Sequence, residues 1–317
     1  MMSTRQHGGR PAAWLWALAW LSFAAAAWAQ DGHVNGQGVL WKVARDGAAD
    51  SYLFGTMHTP DARVLALPPA ARAALGGAKT VALELLIADA KAASSAGAEL
   101  AGSMILTDGR TLDAILGPDR FDTVAEALAK MGLPRIAAQR LKPWGAYLML
   151  SFPQASLEPG AAPPTVLDQE IERIARDHGA ALVALETVAE QVEVFAGMDE
   201  ADMVRLLERV IEVGEQEGGL HAYVNGFFDR VTELYLAGDI GGIFEAWTDQ
   251  LPAGDAALVE RLIERLLISR NLTMVERMTP LLDDGASFVA VGAAHLPGER
   301  GVVNLLADLG FTVTPVR

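Results

Sequence analysis

Tyr52-Leu53-Phe54-Gly55-Thr56-Met57-His58 is an apolar, strand-like run that meets a glycine and, three residues later, a histidine. The same grammar returns near the other end, in Phe288-Val289-Ala290-Val291-Gly292-Ala293-Ala294-His295. Glycine lets the backbone turn sharply or approach a ligand closely, so each histidine stands just beyond the carboxyl end of a strand. In open α/β sheets that edge is where ligands bind. Two further apolar runs close with an acid: the string Val-Ala-Leu-Glu occurs at 81–84 and again at 183–186. A carboxylate at a strand end suits a site better than a core. The order strand-Gly-x-x-His, strand-Glu, strand-Glu, strand-Gly-x-x-His predicts two halves, each contributing one histidine and one glutamate to a shared cleft.

Working outward, short apolar or β-branched runs at Val39–Val43, Ser51–Phe54, Thr80–Leu85, Ala181–Leu185, Ser287–Val291 and Phe311–Pro315 read as strands. They lack polar alternation, which predicts strands covered on both faces. Helical spacing marks Leu167–Arg176, with Asp168 as an early cap, then Met203–Glu215, Phe227–Leu236 and a longer Ala256–Met278. Pro153–Pro164, rich in Pro, Gly and Ala, reads as a surface loop. The expected fold is α/β: a central mixed, largely parallel sheet flanked by helices, two pseudo-related halves in one compact domain, and a helical middle segment.

Residues 1–29 form a separate unit. Arg5 and Arg10 precede an apolar run from Ala12 to Ala27, which exits through Ala27-Trp28-Ala29. That is the layout of a cleaved secretory signal peptide, and the run is short against a bilayer span of about 20 residues. The expected mature domain is 30–317, exported to a periplasm or secreted, with no later membrane span. Of 25 basic residues, two fall in 1–29, which leaves 23 against 40 acidic and a net charge of −17. Such a surface repels phosphate backbones and anionic lipid, so nucleic acid is not an expected partner. The chain has no cysteine, which removes thiolate ligands, cysteine nucleophiles and disulfides. It carries no Gly-x-Ser-x-Gly elbow, no His-Glu-x-x-His helix, no phosphate-binding loop and no dinucleotide fingerprint.

Two imidazoles with one or two carboxylates suit a divalent metal such as zinc, manganese or cobalt. His58, His295, Glu84 and Glu186 are the expected metal-site residues, and a carboxylate left off the metal is a general base. Taken singly, each has a plainer reading: a loop hydrogen-bonder for either histidine, a helix-capping acid for either glutamate. Asp61 turns the chain after His58. His33, His178 and His221 read as surface, and Arg270-Asn271 as the solvated face of a helix.

These pieces, together with Lys142-Pro143-Trp144, Leu167-Asp168, Leu185-Glu186-Thr187 with Gln191, Arg270-Asn271, and Gly292 to Gly298, occur in one order along the chain. In that order the chain resembles the TraB/GumN family, which includes the pheromone-shutdown protein PrgY and the animal Tiki proteases. The resemblance implies an α/β core like that of erythromycin-esterase-like and ChaN-like proteins, and metal-dependent peptide hydrolysis using manganese or cobalt. It makes His58 and His295 metal ligands or close neighbours, Glu84 and Glu186 ligand and base in either order, and Arg270 and Asn271 contacts to substrate or transition state. The expected function is an exported metal-dependent hydrolase acting on a peptide or small molecule. The alternative is a non-catalytic periplasmic protein that binds a peptide, haem or another metal-bearing ligand. The sequence leaves substrate, metal identity and oligomeric state open.

Overall fold

Six strands make a single sheet in the computed structural model, which describes residues 34–86, 90–151, 165–252 and 254–316. They are β1 (Leu40–Ala44), β2 (Ser51–Thr56), β3 (Thr80–Leu83), β4 (Ala181–Ala184), β5 (Ser287–Gly292) and β6 (Thr312–Pro315), in the spatial order β4-β3-β5-β2-β1-β6. β1 runs antiparallel to both β2 and β6, while β4, β3, β5 and β2 are mutually parallel. The sheet is therefore mixed and largely parallel, flanked by helices within one compact domain. The carboxyl ends of its four parallel strands lie along one edge. Read across that edge, the residues just past the strands are Glu186, Glu84, His295 and His58.

β2, β3 and β5 are buried over most of their length, and Leu53, Phe54, Val81, Leu83, Phe288 and Val289 are fully enclosed. Helices Pro69–Gly77 and Leu167–His178 pack against one another and against this block, Ser269–Asp284 packs on β5, and Val302–Asp308 packs on that helix and on β6. β4 departs from the sequence reading. Its run Ala181-Leu182-Val183-Ala184 is apolar, yet it forms the outer edge and its residues are exposed or half-buried. Only Leu182 and Val183 are half-buried against the core.

A second core is helical. Leu112, Phe121 and Leu128 meet Trp144, Leu207, Leu258 and Leu262 there. Its helices Ala90–Ser103, Pro118–Lys130 and Pro143–Ser151 lie where the sequence predicted no particular element. Of the predicted segments, 1–29 and Pro153–Pro164 lie outside the described residues. The predicted long helix at 256–278 extends to Asp284 and carries a π-turn at Glu264–Ile268, where the Ser269 N–H bonds back to the Glu264 carbonyl.

β5 enters the sheet between β2 and β3, which brings the two Gly-x-x-His segments side by side: Gly55 pairs with Val291, and Thr56 with Gly292. A Cβ on Gly55 would stand 2.9 Å from Leu296 Cδ1 and 3.1 Å from Ala293 Cα. Glycine is thus required by the close approach of the second motif to the first. Tyr235 Oη donates to the Gly55 carbonyl at 2.8 Å and holds the turn from the other side. Gly55→Ala is expected to lower unfolding stability by about 1–3 kcal/mol through overpacking. Gly226→Ala, in open space within helix Leu220–Leu236, should instead gain about 0.5–1 kcal/mol. Denaturant titration of both variants checks the pair, and a neutral Gly55→Ala would refute the tight contact.

Candidate active site at the parallel strand ends

Glu84 follows β3 directly, and Glu186 follows β4 after Leu185. The Leu185 and Glu186 N–H groups extend the ladder to the Leu83 and Glu84 carbonyls, at 2.7 and 2.9 Å. The repeated Val-Ala-Leu-Glu strings are staggered by one residue, with Ala82 opposite Val183. Both carboxylates still reach one cation. Arg270 Nε donates to Glu186 Oε1 at 2.9 Å, and its Nη2 donates to Glu186 Oε2 at 2.6 Å and to Glu84 Oε2 at 2.8 Å. Gln191 Nε2 donates to the same two Oε2 atoms, at 3.1 and 3.2 Å. Glu84 Oε1 accepts the Gly292 N–H at 2.6 Å, which ties the first glutamate to the second Gly-x-x-His turn.

Helix Val188–Ala196 places Gln191. Thr187 and Glu190 form a capping box at its start, and Arg277 grips both Glu190 and the Leu185 carbonyl, each at 2.6 Å. Arg265 closes the far end by donating to the carbonyls of Val194 and Glu193.

The two histidines have opposite surroundings. His295, in a 3₁₀ turn after β5, is 4% exposed. Its Nδ1 lies 2.6 Å from Asn271 Oδ1, and its Nε2 stops 3.8 Å from Glu84 Oε1, beyond hydrogen-bond reach. Burial, then the Arg270 cation, pushes the imidazole pKa down to about 3. The His58 side chain is 58% exposed, at the rim, and its Nε2 lies 3.2 Å from Asp168 Oδ2. The Asp168 carboxylate raises its pKa to about 9 against the pull of desolvation.

Burial, the largest influence on Glu84, favours its neutral acid. The positive side of the site outweighs it, through His295, then Arg270, then the Gly292 N–H, and brings the pKa down to about 2. His295 is itself neutral near pH 7, so the Arg270 cation carries that attraction there. Arg270 is raised in turn: burial opposes its charge, and the Glu186 hydrogen bonds with the Glu84 charge overcome that opposition.

The structure thus gathers His58, Glu84, Glu186, Arg270, Asn271 and His295 around one strand edge. Arg270 and Asn271, whose plain sequence reading was a solvated helix face and which the resemblance makes contacts to substrate or transition state, meet the glutamates and His295 respectively. Asp168 is not a cap: it sits inside helix Leu167–His178, 7% exposed, accepting from Thr56 Oγ1 at 2.9 Å and holding His58. Its signal was an acid on the helix's buried stripe, alongside Leu167, Ile171 and Ala175. No role for Gln191 followed from the sequence. A cleft of about 280 Å³ opens on the Glu186 and Arg270 side, lined also by Glu190, Glu193, Arg265 and Ser269.

The donor chemistry fits a divalent cation in one place. Neutral His295 and ionised Glu84 stand side by side with no hydrogen bond between them. Among the described residues no three His, Asp or Glu donors converge. Glu186 gives both oxygens to Arg270, while Glu84 gives Oε2 to Arg270 and Gln191 and Oε1 to the Gly292 N–H.

The TraB/PrgY/gumN sequence pattern matches residues 39–315. The chain belongs to the TraB/PrgY/gumN family. Its relatives include a protein named Metalloprotease TIKI homolog from Amphimedon queenslandica, 23% identical over 86% of this chain and 60% of that protein. Metalloprotease TIKI1 and Metalloprotease TIKI2 from Danio rerio are 27% and 26% identical over 86% of this chain, and 62% and 60% of theirs. The chain spans about 60% of the length of these relatives. No solved structure matches significantly.

Two measurements probe the electrostatics. His58 should titrate near 9 by NMR, and Asp168→Asn should return it to about 6.5 or below. The pair's contribution to stability is complete below about 6.5 and is lost as pH rises through 9. Arg270→Met leaves two buried carboxylates unpaired and should cost about 3–5 kcal/mol at pH 7. That deficit should shrink at acid pH, as Glu84 takes up a proton. A deficit independent of pH would contradict the clamp.

Proposed function

We propose that this chain is an exported metal-dependent peptide hydrolase whose cation sits between His295 and Glu84. The observation that carries the reading is the 3.8 Å gap between His295 Nε2 and Glu84 Oε1, where a neutral imidazole and a carboxylate meet without a hydrogen bond. The naming of its relatives as metalloproteases supports the same reading. Two protein donors suit a hard, water-rich cation such as manganese better than a three-ligand zinc site.

When bound, such a cation supplies Lewis acidity, acidifying water and drawing charge from a scissile carbonyl. The chain's own groups do the rest. Arg270 keeps Glu84 ionised and aimed while neutralising Glu186, so Glu84 is the ligand and Glu186 the group that orients the clamp. His58, held as a cation on Asp168 at the rim, donates a proton to the departing amine. The 280 Å³ cleft beside Arg270 receives the peptide. The apolar run within 1–29 and the absence, among the described residues, of a helix long and apolar enough to cross a membrane are compatible with export.

The test is calorimetric titration with manganese, cobalt and zinc, followed by peptide-library digestion under each metal. Manganese should bind, Glu84→Gln should weaken it by at least about tenfold, and hydrolysis should fall to background in that variant. Failure of every metal to support cleavage of any peptide would remove the hydrolase reading.

A further inference from the structure

We infer that Asn271 is a positioning residue that fixes His295 in the tautomer protonated on Nδ1, leaving Nε2 as a bare lone pair beside Glu84. Asn271 Nδ2 lies 2.9 Å from the Arg300 carbonyl oxygen. A carbonyl only accepts, so the Asn271 atom facing it is the amide nitrogen. Asn271 Oδ1 is therefore the atom 2.6 Å from His295 Nδ1, and an amide oxygen also only accepts. The proton between them belongs to Nδ1, and a neutral imidazole then has none on Nε2. Asn271 is 2% exposed and His295 4%, so water is a poor substitute for either partner.

The amide cannot readily turn over, because its acceptor is pinned. Arg300 sends its carbonyl to Asn271 and its Nη1 to Glu264 Oε2 at 3.0 Å, and Glu264 Oε1 accepts from Ser269 Oγ at 3.1 Å. Glu264 and Ser269 bracket the π-turn, directly before Arg270 and Asn271. The Glu264–Arg300 pair is about half exposed (side chains 44% and 43%), so its worth is geometric more than energetic. It closes a ring from helix to loop and back, with Asn271 across the middle. Local π geometry is common at functional sites, and here it precedes two consecutive residues that serve different partners, Arg270 the glutamates and Asn271 the histidine.

The inference deepens the proposed function, since a lone pair on Nε2 is what a cation between His295 and Glu84 needs, yet it can be tested apart from it. Imidazole ¹⁵N shifts of the neutral His295, read from long-range ¹H–¹⁵N spectra of the full chain at pH 8, identify the tautomer. The wild type should show Nδ1–H in excess by about tenfold or more. Asn271→Leu removes the acceptor, and Nε2–H facing the Glu84 carboxylate should become the major form. Asn271→Asp keeps an acceptor toward Nδ1 and should retain the wild-type tautomer, although its second oxygen then opposes the Arg300 carbonyl. A role in packing alone would give no such rescue. A wild-type His295 protonated on Nε2 overturns the inference, as does an unchanged tautomer in Asn271→Leu. If that variant does not fold, the wild-type spectrum decides. Manganese titration of the same samples separates the two readings. With metal bound, Asn271→Leu should lose about 10–100-fold in affinity. With no manganese binding to wild type, the metal reading falls while the spectra still judge the tautomer.

Discussion

Two carboxylates buried at neighbouring strand ends repel one another, and desolvation adds to the penalty. Arg270 makes the arrangement tenable. Its guanidinium meets Glu186 with Nε and Nη2 and lends Nη2 to Glu84, a forked geometry that an ammonium could not reproduce. Much of the site follows from that clamp. Gln191 can donate to both glutamates because Arg270 Nη2 draws their Oε2 atoms to one place, and Glu84 keeps its other oxygen for the Gly292 N–H. His295 stays neutral partly because the same cation lies close by. The positive charge of the clamp thus acts in opposite directions on two neighbours, stabilising an anion and suppressing a cation.

Around this centre the fold uses proximity. The parallel pairing of β2 with β5 sets one Gly-x-x-His turn directly against the other, and the absence of a side chain at Gly55 admits Ala293 and Leu296. The two motifs share a pattern but end in different environments. One histidine closes a buried turn and keeps a neutral ring, while the other stands at an open rim and carries charge. The difference arises first from burial, reinforced by Arg270, in one case and from the Asp168 carboxylate in the other.

Much of this was legible in the sequence. The six strand runs, the two Gly-x-x-His ends and the two strand-end glutamates stand out because strand period and glycine placement are local properties. Their meeting at one edge was inferred from that local grammar and from resemblance. What escaped was relational. Asp168 looks like a helix-start acid until the helix is docked and the residue faces Thr56 and His58. Arg270 and Asn271 look like a solvated helix face because a π-turn, invisible to a 3.6-residue period, rotates them inward. β4 looks buried because edge and centre of a parallel sheet share composition. The helix Pro118–Lys130 did carry a legible stripe, Phe121, Val124, Ala125 and Leu128 at helical spacing, which the sequence reading passed over.

The placement of β5 also governs when the molecule can exist. Strands β1 to β4 are encoded before residue 185, but β2 and β3 do not touch within the sheet; the strand that joins them is encoded after residue 286. A growing chain therefore holds two separate fragments of sheet until β5 has been delivered. The glutamates lie on one fragment and His58 on the other, and His295 arrives with the keystone. Assembly of the cleft is consequently a late event, dominated by contacts distant in sequence and correspondingly slow. A chain that stops short of β5 has no cleft, and delivery of that strand is itself the step that switches the site into being.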